Sequence, residues 1–174
     1  MFKSYRCADN GDMKIDISKM ILTAEEFIDS GLKVSVDKKN AQQAIEDAEL
    51  FYVKSVLGDS NYIRFNEPAV EGTPDYYIVN GGIVNDIFVP GLKRAISHIA
   101  FAFLLRINVN AVRFGTVKKD DQNSNNVDES TIYDTAKHHF TIGKAYLKNT
   151  CQVIPGANFK NAPGLAFNEF NELI

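Results

Sequence analysis

Between Ile99 and Leu105 the chain carries an unbroken apolar run, Ile-Ala-Phe-Ala-Phe-Leu-Leu, set inside a longer helical pattern. Leu92, Ala95, Ile96, Ile99, Ala100, Phe103, Leu104 and Ile107 recur at helical spacing, while Phe101, Ala102 and Leu105 fill the other faces. A helix that is apolar almost all round for two turns has no face to give to water. It belongs at the centre of a bundle or of an oligomer. Pro90 suits a first helical turn, so the helix is expected from there to about Ile107, with Arg94, His98 and Arg106 at its polar edges. The run is too short to span a bilayer, and the opening Met-Phe-Lys-Ser-Tyr-Arg lacks the apolar stretch of a signal peptide. The expectation is a chain neither exported by that route nor embedded in a membrane.

Three further helices are legible. Thr23 and Glu26 form a capping-box pair and Leu22 with Phe27 a hydrophobic staple, which predicts a short helix from Ala24 to about Ser30, stopped by Gly31. A second helix starts after Asp37 or Asn40 and reaches Leu57, with Ala41, Ala44, Ile45, Ala48, Phe51, Tyr52 and Val56 on its apolar side. Gln42, Gln43, Glu46, Asp47, Glu49 and Lys54 form its wet face, and Gly58 ends it. A fourth helix is expected from about Asp128 to Gln152, with Ile132, Ala136, Phe140, Gly143 and Leu147 on one stripe, and Pro155 beyond its end. Between Asp59 and Val89 the pattern weakens. A short helix at Asn61 to Phe65, a strand or single helical turn at Tyr76 to Val79, and a tight turn at Gly81-Gly82 are the readings there. Asn108 to Val117 is rich in β-branched residues and reads as an extended arm or β-hairpin, followed by the polar loop Lys118 to Asn126.

With 174 residues, 45% of them apolar and 24% charged, the chain can bury one ordinary core. A formal net charge of −3 argues against a general nucleic-acid binder. Residues 1–87 carry 9 basic and 15 acidic side chains, whereas residues 88–174 carry 10 and 7. That asymmetry suits head-to-tail assembly as well as it suits an ordinary solvated surface.

Little in the sequence promises chemistry. His138 and His139 are adjacent and point about 100° apart on a helix, so they do not form a metal-binding i, i+4 pair. His98 has no carboxylate three or four positions away and reads as a core or interface histidine. Asp9-Asn10-Gly11-Asp12 is a turn rather than a calcium loop, because Lys14 takes a ligand position. Cys7 and Cys151 fit neither a zinc spacing nor a nucleophile motif, and no phosphate-binding glycine loop is present. No catalytic residue, cofactor or metal is expected. Two alternatives stay open: a ligand pocket or enzyme site lined by Tyr76, Tyr77 and His98, and a nucleic-acid contact through Arg113, Lys118 and Lys119 beside Phe114.

The order of elements changes the reading. An amphipathic helix ending in Leu57-Gly58-Asp59 is followed by the turn Val79-Asn80-Gly81-Gly82. Phe88-Val89-Pro90-Gly91-Leu92-Lys93-Arg94-Ala95-Ile96 then opens the apolar helix, and Gly115-Thr116-Val117-Lys118-Lys119 precedes the last one. Over about residues 22–152 this resembles the helical head–tail connector (adaptor) proteins of tailed bacteriophages, above all the neck ring proteins of crAss-like and other Bacteroidota phages. The resemblance implies a structural virion protein without an active site, made in the bacterial host cytoplasm and built into the head–tail junction. It further implies a homo-oligomeric ring of about a dozen copies between portal and tail. Portal protein and other neck or tail proteins would be its partners, and genomic DNA would pass without specific binding.

The resulting expectation is a mainly α, four-helix bundle-like connector domain over residues 1–154, with the arm and loop at about 108–127. Residues 155–174, rich in aromatic and aliphatic side chains, form a tail that either packs back on its own bundle or docks on a neighbouring subunit, the second being the expectation for a ring. Val112, Phe114 and Val117 in the arm and Phe167 and Phe170 in the tail are the candidate interface residues. Gly81, Gly82, Pro90, Gly91 and Leu92 are the motif residues of the turn and helix start.

Overall fold

The computed structural model of the chain describes residues 20–30, 32, 37–113 and 129–164. These are mainly helical, with one small two-stranded antiparallel sheet. Helix α1 (Ala24–Ile28) begins as expected: Glu26 N–H donates to Thr23 Oγ1 at 3.3 Å, and Thr23 N–H donates to Glu26 Oε2 at 3.0 Å. Leu22 and Phe27, the staple pair, are both buried. The helix ends at Ile28, with Asp29 as its C-cap, and Gly31 lies outside the described residues.

The second helical rod starts at Asp37, whose carboxylate accepts from Asn40 N–H at 3.0 Å, and stops at Gly58, where φ is 76°. It has three parts: α2 (Lys38–Asp47), a π-helical segment (Ala48–Val53) and α3 (Lys54–Leu57). Its ends match the sequence reading, but its faces do not run straight. Ala41, Ala44, Ile45 and Ala48 are buried upstream, and Tyr52, Val53, Val56 and Leu57 downstream. At about 100° per residue the second set is rotated from the first by roughly one residue, and the wider π turn absorbs that rotation. Two side-chain assignments are thereby corrected. Glu49, placed on the wet face, is fully buried, and Phe51, placed on the apolar face, is 68% exposed.

Helix α4 (Asp59–Asn66) covers the expected short helix, and α5 (Pro74–Asn80) shows that Tyr76 to Val79 is helical rather than a strand. Arg64 Nε donates to Asp75 Oδ2 at 2.8 Å, tying α4 to α5, while its Nη2 pairs with the other carboxylate oxygen. The sheet follows at once. Strands β1 (Gly82–Val84) and β2 (Ile87–Val89) pair with Gly82 opposite Val89, Ile83 opposite Phe88 and Val84 opposite Ile87. Asn85 and Asp86 both have positive φ, 50° and 63°, the geometry of a two-residue turn that matches strand twist. Gly81-Gly82 is therefore not a tight turn before the third long helix. One glycine ends α5, the other opens a hairpin.

Helix α6 (Leu92–Arg113) buries Leu92, Ala95, Ile96, Ile99, Ala100, Ala102, Phe103 and Leu104. It also corrects the boundary of the arm, because Asn108 to Arg113 is helical. Each β-branched residue costs a helix only a few tenths of a kcal/mol, and continuing an existing helix adds one hydrogen bond per residue fixed. The rest of the expected arm and loop lies outside the described residues, and the hairpin among the described residues precedes α6.

Helix α7 (Glu129–Cys151) packs along α6 and buries Ala136, Phe140, Gly143 and Leu147. A Cβ on Gly143 would stand 2.6 Å from Ile99 Cγ1 and 3.0 Å from the Ala95 carbonyl oxygen, so the helices meet backbone to backbone there. Tyr52 sets its ring edge-on to Phe140 at 5.2 Å and brings the π segment into the same core. After α7 the chain returns over α3 and α4. Asn158 N–H donates to the Val56 carbonyl at 2.9 Å, Asn61 Nδ2 donates to the Pro155 carbonyl at 3.0 Å, and half-buried Phe159 packs against the core. The first part of the tail thus rests on its own domain. No described helix is long and apolar enough to cross a membrane.

Candidate functional site

The motif residues Gly81, Gly82, Pro90, Gly91 and Leu92 come together at the base of the hairpin. Gly81 and Gly91 have φ of 95° and 93°, and a Cβ on Gly91 would stand 2.5 Å from Gly81 N. Only residues without side chains let the strand exit touch the strand entry in this way. Gly82 lies against the Tyr77 ring, while Pro90 and Leu92 are buried. The motif builds the hairpin's base and the start of α6. It lines no cavity.

What the hairpin presents is a surface. Val84 and Val89 turn inward and are buried, so the cross-strand pair Ile83 and Phe88 turns outward, 65% and 68% exposed. Ile87 at the tip is exposed as well. Ile83 and Phe88 thus form one exposed apolar face, while Ile87 shares the other face with Val84. The alternation Ile-Val before and Ile-Phe-Val after an Asn-Asp pair is the signal that sequence reading overlooked, because the neighbouring glycines dominated the stretch.

Of the expected interface residues, one lies within the described elements. Val112, like Arg113, is part of α6, whereas Phe114, Val117, Phe167 and Phe170, together with Lys118, Lys119, Cys7 and the Asp9–Asp12 turn, lie outside the described residues. Of Tyr76, Tyr77 and His98, the two tyrosines share α5 and the histidine lies on α6. Tyr76 and Tyr77 lie edge-on to each other, and Tyr77 packs on Gly82. His98 sits on α6 and meets α7. A cleft of about 270 Å³ beside α4 includes Arg64 and Asp75, whose charges are already spent on each other.

Two polar sites that sequence reading missed are built from distant residues. In the first, Glu49 Oε1 accepts from Leu22 N–H at 2.9 Å, and Oε2 accepts from Ile21 N–H at 3.1 Å and from Tyr62 OH at 2.9 Å. Burial pushes this carboxyl up to about 7, against the opposing pull of those three donors. It clamps the chain just ahead of α1. The second is a histidine pair. His98 Nδ1 and His139 Nδ1 face each other at 3.0 Å across α6 and α7. The ring centroids lie 5.1 Å apart with the planes 24° from parallel, and the nitrogens are at hydrogen-bond distance. Tyr146 closes edge-on over His98, and Phe101 over His139. Burial, and then the neighbouring His139, Arg94 and His138, lower His98 to about 4, and burial lowers His139 as well.

Cys151 is buried, and burial raises its thiol to about 12, so it is no nucleophile at neutral pH. Among the described residues no group of three or more His, Cys, Asp and Glu side chains is placed to hold a metal ion. No protein-family model matches the chain, and no curated protein or solved structure matches it either.

Proposed function

We propose that this chain is a structural subunit of an oligomeric ring at the head–tail junction of a tailed bacteriophage, linking portal to tail around the DNA conduit. The ordered motifs from Leu57-Gly58 to Lys118-Lys119 motivate this reading. The observation that carries it furthest is the outward apolar pair Ile83 and Phe88 on the Gly81/Gly91-based hairpin. In a free monomer such a face costs solubility and stabilises nothing. In a ring it would be covered by the next subunit. The finer architecture belongs to the same proposal: a four-helix bundle-like connector domain whose arm begins after Arg113, with Phe114, Val117, Phe167 and Phe170 reaching adjacent copies. A net charge of −3 per subunit, repeated around a ring, repels DNA phosphates and suits a conduit that does not hold its cargo.

Sedimentation velocity across a wide concentration range tests the proposal. A discrete ring-sized species that dissociates in Phe88→Asp is expected, and Phe114→Asp and Phe167→Asp should lower incorporation into particles. A monomer at every concentration, with all three variants incorporated normally, overturns it.

A further inference from the structure

We propose that Glu49, Tyr62 and Met20 form a proton-operated latch on the segment entering α1, tight when the Glu49 carboxyl holds a proton and loose when it has lost it. One hydroxyl with two acceptors carries the proposal. Tyr62 OH lies 2.9 Å from Glu49 Oε2 and 3.7 Å from Met20 Sδ, and it has a single proton to give. When Glu49 is ionised, that proton goes to the carboxylate, alongside those of Ile21 N–H and Leu22 N–H. When Glu49 is protonated, the bond reverses: Oε2–H donates to the tyrosine oxygen, and Tyr62 OH turns to the sulfur. Oε2 still accepts from Ile21 N–H, and Oε1 from Leu22 N–H. Both forms pair every donor with the heavy atoms where they stand, so passing between them takes one proton from solvent and the rotation of one hydroxyl.

The two forms differ in the charge they leave inside. Glu49 is fully buried, and among the described residues no cation bonds it. The charged and titratable groups on the elements around it are few. They are Tyr62 on α4, Glu26 on α1 with Lys93 on α6, paired with each other, and Lys54 on its own rod, which pairs with Asp59 and lies 5.9 Å from the Tyr62 ring centroid. An ionised carboxylate held only by neutral donors gains by reaching water, whereas the protonated one has no such pull. The segment Met20–Leu22 is tied to it by two backbone N–H groups and leads into a helix of five residues, so this is the part that yields locally. Burial pushes the Glu49 carboxyl up to about 7, which sets the changeover near neutral pH.

Amide hydrogen exchange of the full chain at Ile21 and Leu22, corrected for the intrinsic effect of pH, tests the latch. Protection of these two amides is expected to fall on the order of 100-fold between about pH 5 and 8, and at each pH to stay below that of Ile96 and Ile99 in α6, the mark of a local opening. Protection that does not change with pH, or that equals that of Ile96 and Ile99 throughout, overturns the proposal. The reversal of the bond has its own test. Met20→Leu keeps the volume but removes the acceptor that only the protonated form uses, so the Glu49 titration midpoint, followed by carbon-13 NMR of its carboxyl, should fall by about half a pH unit. An unchanged or raised midpoint overturns it as well, and the exchange experiment on the unaltered chain decides the matter whether or not the variant folds.

Discussion

Glu49 shows how much one side chain can decide. Its carboxylate closes three buried donors, so Glu49→Ala leaves Ile21 N–H, Leu22 N–H and Tyr62 OH without partners and should cost about 3 kcal/mol in a denaturant titration. Its pH dependence has the opposite sign from that of a salt-bridged acid. Between pH 4.5 and about 7 the folded state keeps a proton that the unfolded state has lost, so stability is full below pH 4.5 and falls as pH rises through that window. The fall is on the order of 3 kcal/mol, and Glu49→Gln should abolish it. Tyr52 is the contrary case. Its hydroxyl is buried without a hydrogen-bond partner, so Tyr52→Phe keeps the edge-on contact with Phe140 and should raise stability by about 1 kcal/mol in the same titration.

At the scale of elements, the close crossing of α6 and α7 depends on Gly143. Alanine there gains about 1 kcal/mol of helix propensity but sets a methyl 3.0 Å from a backbone oxygen that cannot swing away. The clash should win, with Gly143→Ala losing about 2–3 kcal/mol and the His98–His139 contact loosening in imidazole NMR spectra. The π segment gives a second prediction. Deleting Phe51 brings the Ala41–Ala48 and Tyr52–Leu57 stripes into one phase, whereas deleting Ile45 removes a buried side chain and leaves them out of phase. Measured by circular dichroism and chemical unfolding, the first deletion should retain the fold and the second should not.

These elements also show what was legible in the sequence. The capping box of α1, the ends of the rod at Asp37 and Gly58, and the stripes of α6 and α7 were readable because each is a local signal of spacing or capping. The exchange of Glu49 for Phe51 was not. A single helical period does not describe a rod whose two halves differ in phase. The β-branched composition of Asn108 to Arg113 favours an extended chain, but the helix already running into it prevails. The contacts of His98 with His139 and of Glu49 with Leu22 join residues far apart in the chain. Only the packing of α6 on α7, and of the rod beneath α1, brings them together.

For the whole molecule the two buried polar sites act against each other. His98, whose folded value lies near 4, contributes stability that is full above pH 6.5 and lost as pH falls toward 4. Glu49 loses its contribution in the other direction, as pH rises from 4.5 to about 7. Where the windows overlap the two slopes oppose each other, so the stability of the intact chain should change less between about pH 4.5 and 6.5 than that of either single variant. Glu49→Gln should uncover a loss toward acid, and His98→Gln a loss toward neutrality.

The π segment lets one rod serve two neighbourhoods. The buried stripe ahead of it and the one after it face directions about 100° apart around the axis, so a single helix lines two walls of the core without bending, with Phe51 left in solvent at the point of rotation.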